Sequence, residues 1–106
     1  MSAQQVTELI EKEIAGDWDR QNPHGVNLKK CLVVPPVRKT YDDACHGAQI
    51  VDLWLVLEEN PEKKSGYKIV FDDSREQFGL AVDDARTCRA AFIGCYGTFL
   101  ETLDAM

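Results

Sequence analysis

Long apolar runs are missing from this sequence. A helix needs about 18 consecutive apolar residues to span a bilayer, and the longest candidates, Leu53–Leu57 and Ala90–Ile93, have only the length of core segments. The stretch from Met1 to Gln5 has no basic residue and no apolar run of the kind that begins a secretory signal peptide. We therefore expect neither a membrane-spanning helix nor a signal peptide.

Basic residues are outnumbered by acidic ones. Twelve Lys and Arg stand against eighteen Asp and Glu, which gives a net charge of −6. The basic residues cluster only in pairs, such as Lys29-Lys30 and Lys63-Lys64. An acidic chain repels the phosphates of nucleic acids and gains nothing at an anionic membrane surface. The composition therefore disfavours binding to nucleic acid and to membranes, and it suits a basic protein partner.

Cysteine is too infrequent to indicate a disulfide scaffold. Four cysteines in a secreted chain could form two disulfides. Here 44% of the residues are hydrophobic, which is enough for one core without cross-links. Together with the missing signal peptide, this predicts reduced thiols in a cytoplasmic protein.

The N-terminal segment has the pattern of an amphipathic helix over Ala3–Ala15. Ser2 and Gln5 have the spacing of a capping box, which satisfies two backbone amides at a helix start. Gly16 is suited to the left-handed conformation that ends a helix. Apolar side chains recur on one helical face, at Val6, Leu9, Ile10 and Ile14.

Strand patterns follow in the middle of the chain. Four segments are predicted: Leu28–Val34 with a short continuation at Val37–Tyr41, Gln49–Glu58, Tyr67–Asp72, and the stretch containing Phe78, Leu80 and Val82. Pro35-Pro36 removes two hydrogen-bond donors, which indicates a strand end or an edge. Alternation within Gln49–Glu58 places one apolar face at Val51, Leu53, Leu55 and Leu57.

The chain is predicted to close with a second helix. Thr98 and Glu101 repeat the capping-box spacing, and Gly94 and Gly97 delay the regular helix until near Thr98. With 106 residues the chain suits a single domain, residues 1–106. The expected fold is α+β: a four-stranded, antiparallel, meander-like sheet with an N-terminal and a C-terminal helix packed on one face.

The possible zinc ligands do not have the spacing of a zinc site. Zinc takes about four ligands, usually in close pairs such as C-x₂-C. Adjacent side chains such as those of Cys45 and His46 point apart in an extended chain. The residues concerned are His24, Cys31, Cys45, His46, Cys88 and Cys95. We predict buried thiols that pack as small hydrophobes, with no metal and no cofactor. A structural zinc site stays open as an alternative.

Cys95 is the candidate nucleophile. It lies between Gly94 and the predicted start of the second helix, where a helix dipole stabilises a thiolate. His24 or His46 could serve as its base. The same residues also suit a tight turn between elements, with the cysteine filling a gap. A thiol-dependent enzyme or a small-molecule site centred on Cys95 is therefore the alternative function.

Trp54, Val56 and Val70 mark a possible binding surface. They lie on the less apolar face of the predicted sheet, and Trp is enriched in binding hot spots. The competing interpretation is a second packing layer, formed with Trp18 and Pro35-Pro36, which the rarity of large exposed apolar patches favours. With no catalytic motif in the chain, a noncatalytic module that binds another protein is the leading functional hypothesis.

Overall fold

The computed structural model describes residues 1–20, 25–43, 49–62, 65–83 and 90–106. Three helices and five strands occur in these ranges, in the order α1 (Ala3–Ile14), α2 (Leu28–Cys31), β1 (Leu32–Asp43), β2 (Gln49–Asn60), β3 (Ser65–Asp72), β4 (Gln77–Asp83), β5 (Ala90–Gly97) and α3 (Phe99–Ala105). The predicted α+β class with a helix at each end is confirmed, whereas the predicted count of four strands is wrong. None of the helices in these ranges is long and apolar enough to cross a membrane.

The five strands form a closed barrel in which each strand pairs with its neighbour in the sequence. The first four pairings are antiparallel, and β1 and β5 close the barrel in parallel through Asp42↔Ala91 and Asp43↔Phe92. Strand direction alternates around such a barrel, so an odd number of strands leaves the first and the last parallel. The fifth strand therefore changes a meander sheet into a closed barrel.

Strand β5 lies where the sequence predicts an irregular approach to the last helix. Gly94 and Gly97 are part of the strand, although Gly weakens strands in general. Strands β4 and β5 pack closely at Gly79, where a Cβ would overlap the carbonyl oxygen of Gly94.

The predicted strand Leu28–Val34 is wrong in its first half. Leu28–Cys31 forms one helical turn, which Asn27 caps by accepting a hydrogen bond from the Lys30 amide at 3.2 Å. Strand β1 then runs from Leu32 through Pro35-Pro36. The prolines are tolerated because the β1–β2 register is interrupted between Leu32 and Val37, so no ladder donor is required of them.

Helix α1 begins as its sequence predicts. The Ser2 hydroxyl accepts from the Gln5 amide at 3.2 Å, and the Gln5 side chain accepts from the Ser2 amide at 2.8 Å. The helix ends at Ile14, and both its C-cap Ala15 (φ 51°) and the predicted Gly16 (φ 87°) have positive φ. Thr98 likewise caps α3 by accepting from the Glu101 amide at 3.1 Å.

Two apolar clusters hold the elements together. The barrel interior is filled by Tyr41, Leu53, Leu55, Val70, Ala81 and Phe92. The outer cluster packs α1 and α3 against one outer face of the barrel, and its members include Val6, Ile10, Ile14, Phe71, Phe78, Leu80, Phe99 and Leu103. The ring of Phe78 packs between the barrel and α3. Its centroid lies 4.6 Å from that of Phe71 in β3 and 5.6 Å from that of Phe99 in α3.

A β-bulge in strand β2 changes which of the two clusters the following side chain joins. Leu55 pairs with Val70 and Leu57 pairs with Ile69, so Val56 has no opposite residue in β3. The extra residue shifts the alternation of side chains. Leu57 consequently joins Val56 in the outer cluster, and its predicted place on the same face as Leu53 and Leu55 is wrong.

Candidate protein-interaction site

The structure places Cys95 inside a strand rather than at a helix start. Its half-buried side chain packs against the cluster in the barrel interior, and α3 begins only at Phe99. Cys31 is buried, and its Sγ donates to the Glu59 carbonyl oxygen over 3.7 Å. The remaining candidate ligands and bases, His24, Cys45, His46 and Cys88, lie outside the described residues. Within the described ranges, no three His, Cys, Asp or Glu residues are grouped as metal ligands.

The predicted surface patch does not form as a unit. Val56 is 0% exposed in the outer cluster and Val70 is 0% exposed in the barrel interior, so the expectation that they line a binding surface is wrong. The ordinary alternation of β2 after Leu55 turns Val56 toward the outer cluster, and the alternation of β3 turns Val70 inward. Trp54 alone of the three is partly exposed.

Trp54 belongs to a polar cluster centred on Asp73. Oδ2 of Asp73 accepts from Trp54 Nε1 at 3.3 Å, from Arg38 Nη1 at 3.1 Å and from the amino group of Met1 at 3.4 Å. The Arg38 guanidinium also lies 5.3 Å from the Trp54 ring centroid. Burial raises the pKa of Asp73, but these donors outweigh it and hold the pKa below its usual value. The indole N–H of Trp54 is therefore already engaged within the protein.

A second polar cluster lies at one end of the barrel interior. Lys68 lies two positions before the interior residue Val70 in β3, and Asp83 lies two positions after the interior residue Ala81 in β4. Glu58 in β2 lies opposite Lys68 in the register of β2 and β3. The Lys68 ammonium lies 2.8 Å from Asp83. The charges of Glu58 and Asp83 also act on the hydroxyl of Tyr41, which belongs to the interior cluster.

The Tyr41 hydroxyl has no hydrogen-bond partner among the described residues, and the side chain is 1% exposed. Burial, followed by the nearby carboxylates of Glu58 and Asp83, raises its pKa well above the usual value. A phenol with a raised pKa stays protonated at neutral pH, so it is a poor base and a poor nucleophile.

The net charge is concentrated in what we call the helical layer, residues 1–20 and 97–106, which contain α1 and α3. These thirty residues hold seven carboxylates and two cations, and so carry −5 of the total of −6. Residues 21–96 carry only −1. The seven carboxylates are those of Glu8, Glu11, Glu13, Asp17, Asp19, Glu101 and Asp104.

Part of this charge stabilises the layer itself. Glu13 in α1 accepts from the Phe99 amide at 2.9 Å and so caps α3 from a neighbouring helix. Burial raises the pKa of Glu13, the amides of Phe99 and Leu100 oppose that rise, and Glu101 adds to it. Arg20 lies 2.7 Å from Asp104 and 3.8 Å from Asp17. These contacts join the two helices and their carboxylates into one surface.

Two other carboxylates of the layer accept hydrogen bonds from nearby residues: Glu8 accepts from the Gln4 side chain at 3.2 Å, and Glu101 accepts from the Thr98 hydroxyl at 3.1 Å. Glu8, Glu11 and Glu101 are exposed, and none of them forms an ion pair with a described residue. Carboxylates of this kind have a long-range field that the protein itself does not neutralise. The helical layer is thus a negative surface directed at solvent.

An apolar groove lies along one side of this layer, between α1 and the first half of β1. We call it the α1–β1 groove. Its volume is about 80 Å³, and its lining consists of Thr7, Ile10, Glu11, Trp18, Leu32, Val33, Val34 and Pro36. Val34 is 74% exposed, so the rim of the groove is apolar and open to solvent. A larger depression of about 710 Å³ lies between Asn27 and Pro61.

Comparisons with protein-family models, with curated proteins and with solved structures give no match for this chain. The functional argument therefore depends on its own geometry. The concentration of charge could have been found from the sequence by counting charges segment by segment. The α1–β1 groove could not, because its two walls are distant in sequence and meet only when α1 packs beside the first half of β1.

Proposed function

We propose that the protein is a noncatalytic interaction module that binds a basic partner protein through its helical layer. The observation that supports this most is the separation of charge, with −5 on thirty residues of the helical layer and −1 on the other seventy-six. Opposite charge on a partner increases the rate of encounter and selects against acidic partners. Nucleic acid is disfavoured, because its phosphates carry the same sign as this surface.

The chemistry of the described residues supports a binding role over a catalytic one. The candidate nucleophile Cys95 lies in β5 and packs toward the barrel interior, away from the N-terminus of α3. The buried Tyr41 hydroxyl has a raised pKa. A thiol-dependent activity through His24 or His46 remains the alternative proposal, and it predicts that Cys95 is alkylated much faster than Cys31 near pH 6. A cytoplasmic location is part of our proposal and is supported by the composition.

The test is affinity capture from a lysate of the source organism at low and at high salt. The charge variant is E8Q/E11Q, and the matched control E62Q/E76Q removes the same charge from exposed positions of the barrel. We expect a basic partner that is captured at low salt, weakened at high salt, lost with E8Q/E11Q and retained with E62Q/E76Q. Capture that is equally sensitive to both double variants, or no capture at either salt, contradicts the proposal.

A further inference from the structure

The α1–β1 groove has the size of a single side chain. Small-molecule sites usually measure about 300–1,000 Å³, whereas this groove measures about 80 Å³. An apolar cavity of about 150 Å³ accepts benzene in another protein, so the groove suits one branched aliphatic side chain. Its volume therefore favours an anchor residue from a protein over a separate small ligand.

The rim of the groove is suited to a protein contact. Val34 is 74% exposed and Trp18 is half-buried, so both present apolar surface beside the groove. Ile10 and Leu32, which line the groove more deeply, belong to or pack against the outer cluster and hold its floor in place. A side chain that enters the groove would meet a rigid floor and an apolar rim, which are features of binding hot spots.

The charges beside the groove select the occupant. Glu11 forms part of the α1 wall, and Glu8 lies one turn earlier on the same helix. Both are exposed, and neither forms an ion pair with a described residue. A partner segment with Lys or Arg next to its apolar anchor complements this edge, and an acidic segment is repelled.

We infer that the α1–β1 groove binds one branched aliphatic side chain of the basic partner, presented on a segment whose Lys or Arg side chains pair with Glu8 and Glu11. This inference rests on the proposed function and assigns the place where the partner is anchored. It joins the apolar groove and the acidic helical layer into one docking surface.

The test uses a displayed library of random twelve-residue peptides, selected on the folded full chain. Two variants are compared with the wild type: V34D, which places a carboxylate on the groove rim, and the matched control I50D, on another strand at a residue that is 61% exposed. We expect enriched peptides with Leu, Ile or Val flanked by Lys or Arg. Their affinity should fall about tenfold or more with V34D and stay unchanged with I50D.

Two further readouts separate the anchor from the charges. Replacing the aliphatic residue of an enriched peptide by Ser should weaken binding as much as V34D does, while E8Q/E11Q should reduce the salt dependence of binding. Enriched peptides that are basic but insensitive to V34D and to the Ser replacement overturn the groove inference and leave the proposed function standing. Enrichment of acidic peptides, or no enrichment, contradicts both.

Discussion

The barrel and the helical layer use their charges differently. Among the described barrel residues, three cations form ion pairs with carboxylates, in Lys68–Asp83, Arg75–Asp72 and Arg38–Asp73. The helical layer contains seven carboxylates and only two cations. Glu8, Glu11 and Glu101 form no ion pair with a described residue. Charge within the barrel thus supports local structure, and the excess negative charge is directed outward from the helices.

The two regions also differ in how their apolar residues pack. Among the described residues, the cluster in the barrel interior consists of strand residues, whereas the outer cluster includes residues of α1 and α3 that cover Phe71, Phe78 and Leu80. The helical layer is therefore a structural cover and an acidic surface at once. Substitutions at its buried positions should affect stability, and substitutions at its exposed carboxylates should affect binding.

The largest effect is expected for Phe78→Ala. Phe78 is 2% exposed and contacts aromatic rings in β3 and in α3, so its removal leaves a cavity between barrel and helices. The free energy of unfolding should fall by about 3–5 kcal/mol in a denaturant titration. The matched control Tyr96→Ala, on an exposed aromatic residue of β5, should cost less than about 1 kcal/mol. Equal losses would show that the outer cluster does not hold the layers together.

Leu55→Ala tests the barrel interior alone. Leu55 is buried in the interior cluster, and the loss of its side chain should cost about 2–5 kcal/mol. Ile50→Ala, at an exposed position of the same strand, should change the free energy of unfolding by no more than about 0.5 kcal/mol. A small loss for Leu55→Ala would mean that the faces of β2 are assigned wrongly.

Glu13→Ala tests the link between α1 and α3. It removes the acceptor of the Phe99 amide, and the loss of a helix cap costs about 0.5–2 kcal/mol. Glu8→Ala, an exposed residue of the same helix, is the control and should have little effect on unfolding. A similar small effect of both would show that the contact between the helices contributes nothing to stability.

Glu13 also predicts a pH dependence. Because its pKa in the folded protein lies above the ordinary value of 4.5, the folded state binds the proton more tightly than the unfolded state. Its contribution to the free energy of unfolding therefore decreases as the pH rises through the window between the unfolded and the folded pKa. Glu13→Gln, which keeps an acceptor oxygen, should remove that slope, and Glu8→Gln should not. If Glu13→Gln leaves the slope unchanged, this pH dependence of stability does not come from Glu13.

The smallest effect is expected for Tyr41→Phe. The Tyr41 hydroxyl is buried and has no hydrogen-bond partner among the described residues, so its removal relieves a desolvation penalty and breaks no bond identified in those ranges. The free energy of unfolding should stay unchanged or rise by up to about 1 kcal/mol. A clear loss of stability would reveal a partner for the hydroxyl.

Local signals in the sequence predicted local structure well. The capping box of α1 and the cap at Thr98 are confirmed, because both depend on residues within four positions of one another. The apolar alternation of β2 predicts its interior residues Leu53 and Leu55 correctly. It fails at Leu57, because a bulge is a property of two strands together.

Non-local features could not be predicted from these patterns. The closure of the barrel depends on pairing between Asp42 and Ala91, which are far apart in sequence, and β5 depends on the close approach of Gly79 to Gly94. The candidate site likewise has one part that the sequence predicts and one part that it does not. The acidity of the helices can be counted from the sequence, whereas the α1–β1 groove appears only when β1 packs beside α1.

The most direct test of the charge-based account is the affinity of a captured basic partner, measured between low and high salt for the wild type, E8Q/E11Q and E62Q/E76Q. The account predicts that affinity falls with salt, and that E8Q/E11Q both weakens binding at low salt and flattens this dependence, while E62Q/E76Q behaves as the wild type does. If the two double variants have the same affinity and the same salt dependence, the helical layer is not the binding surface.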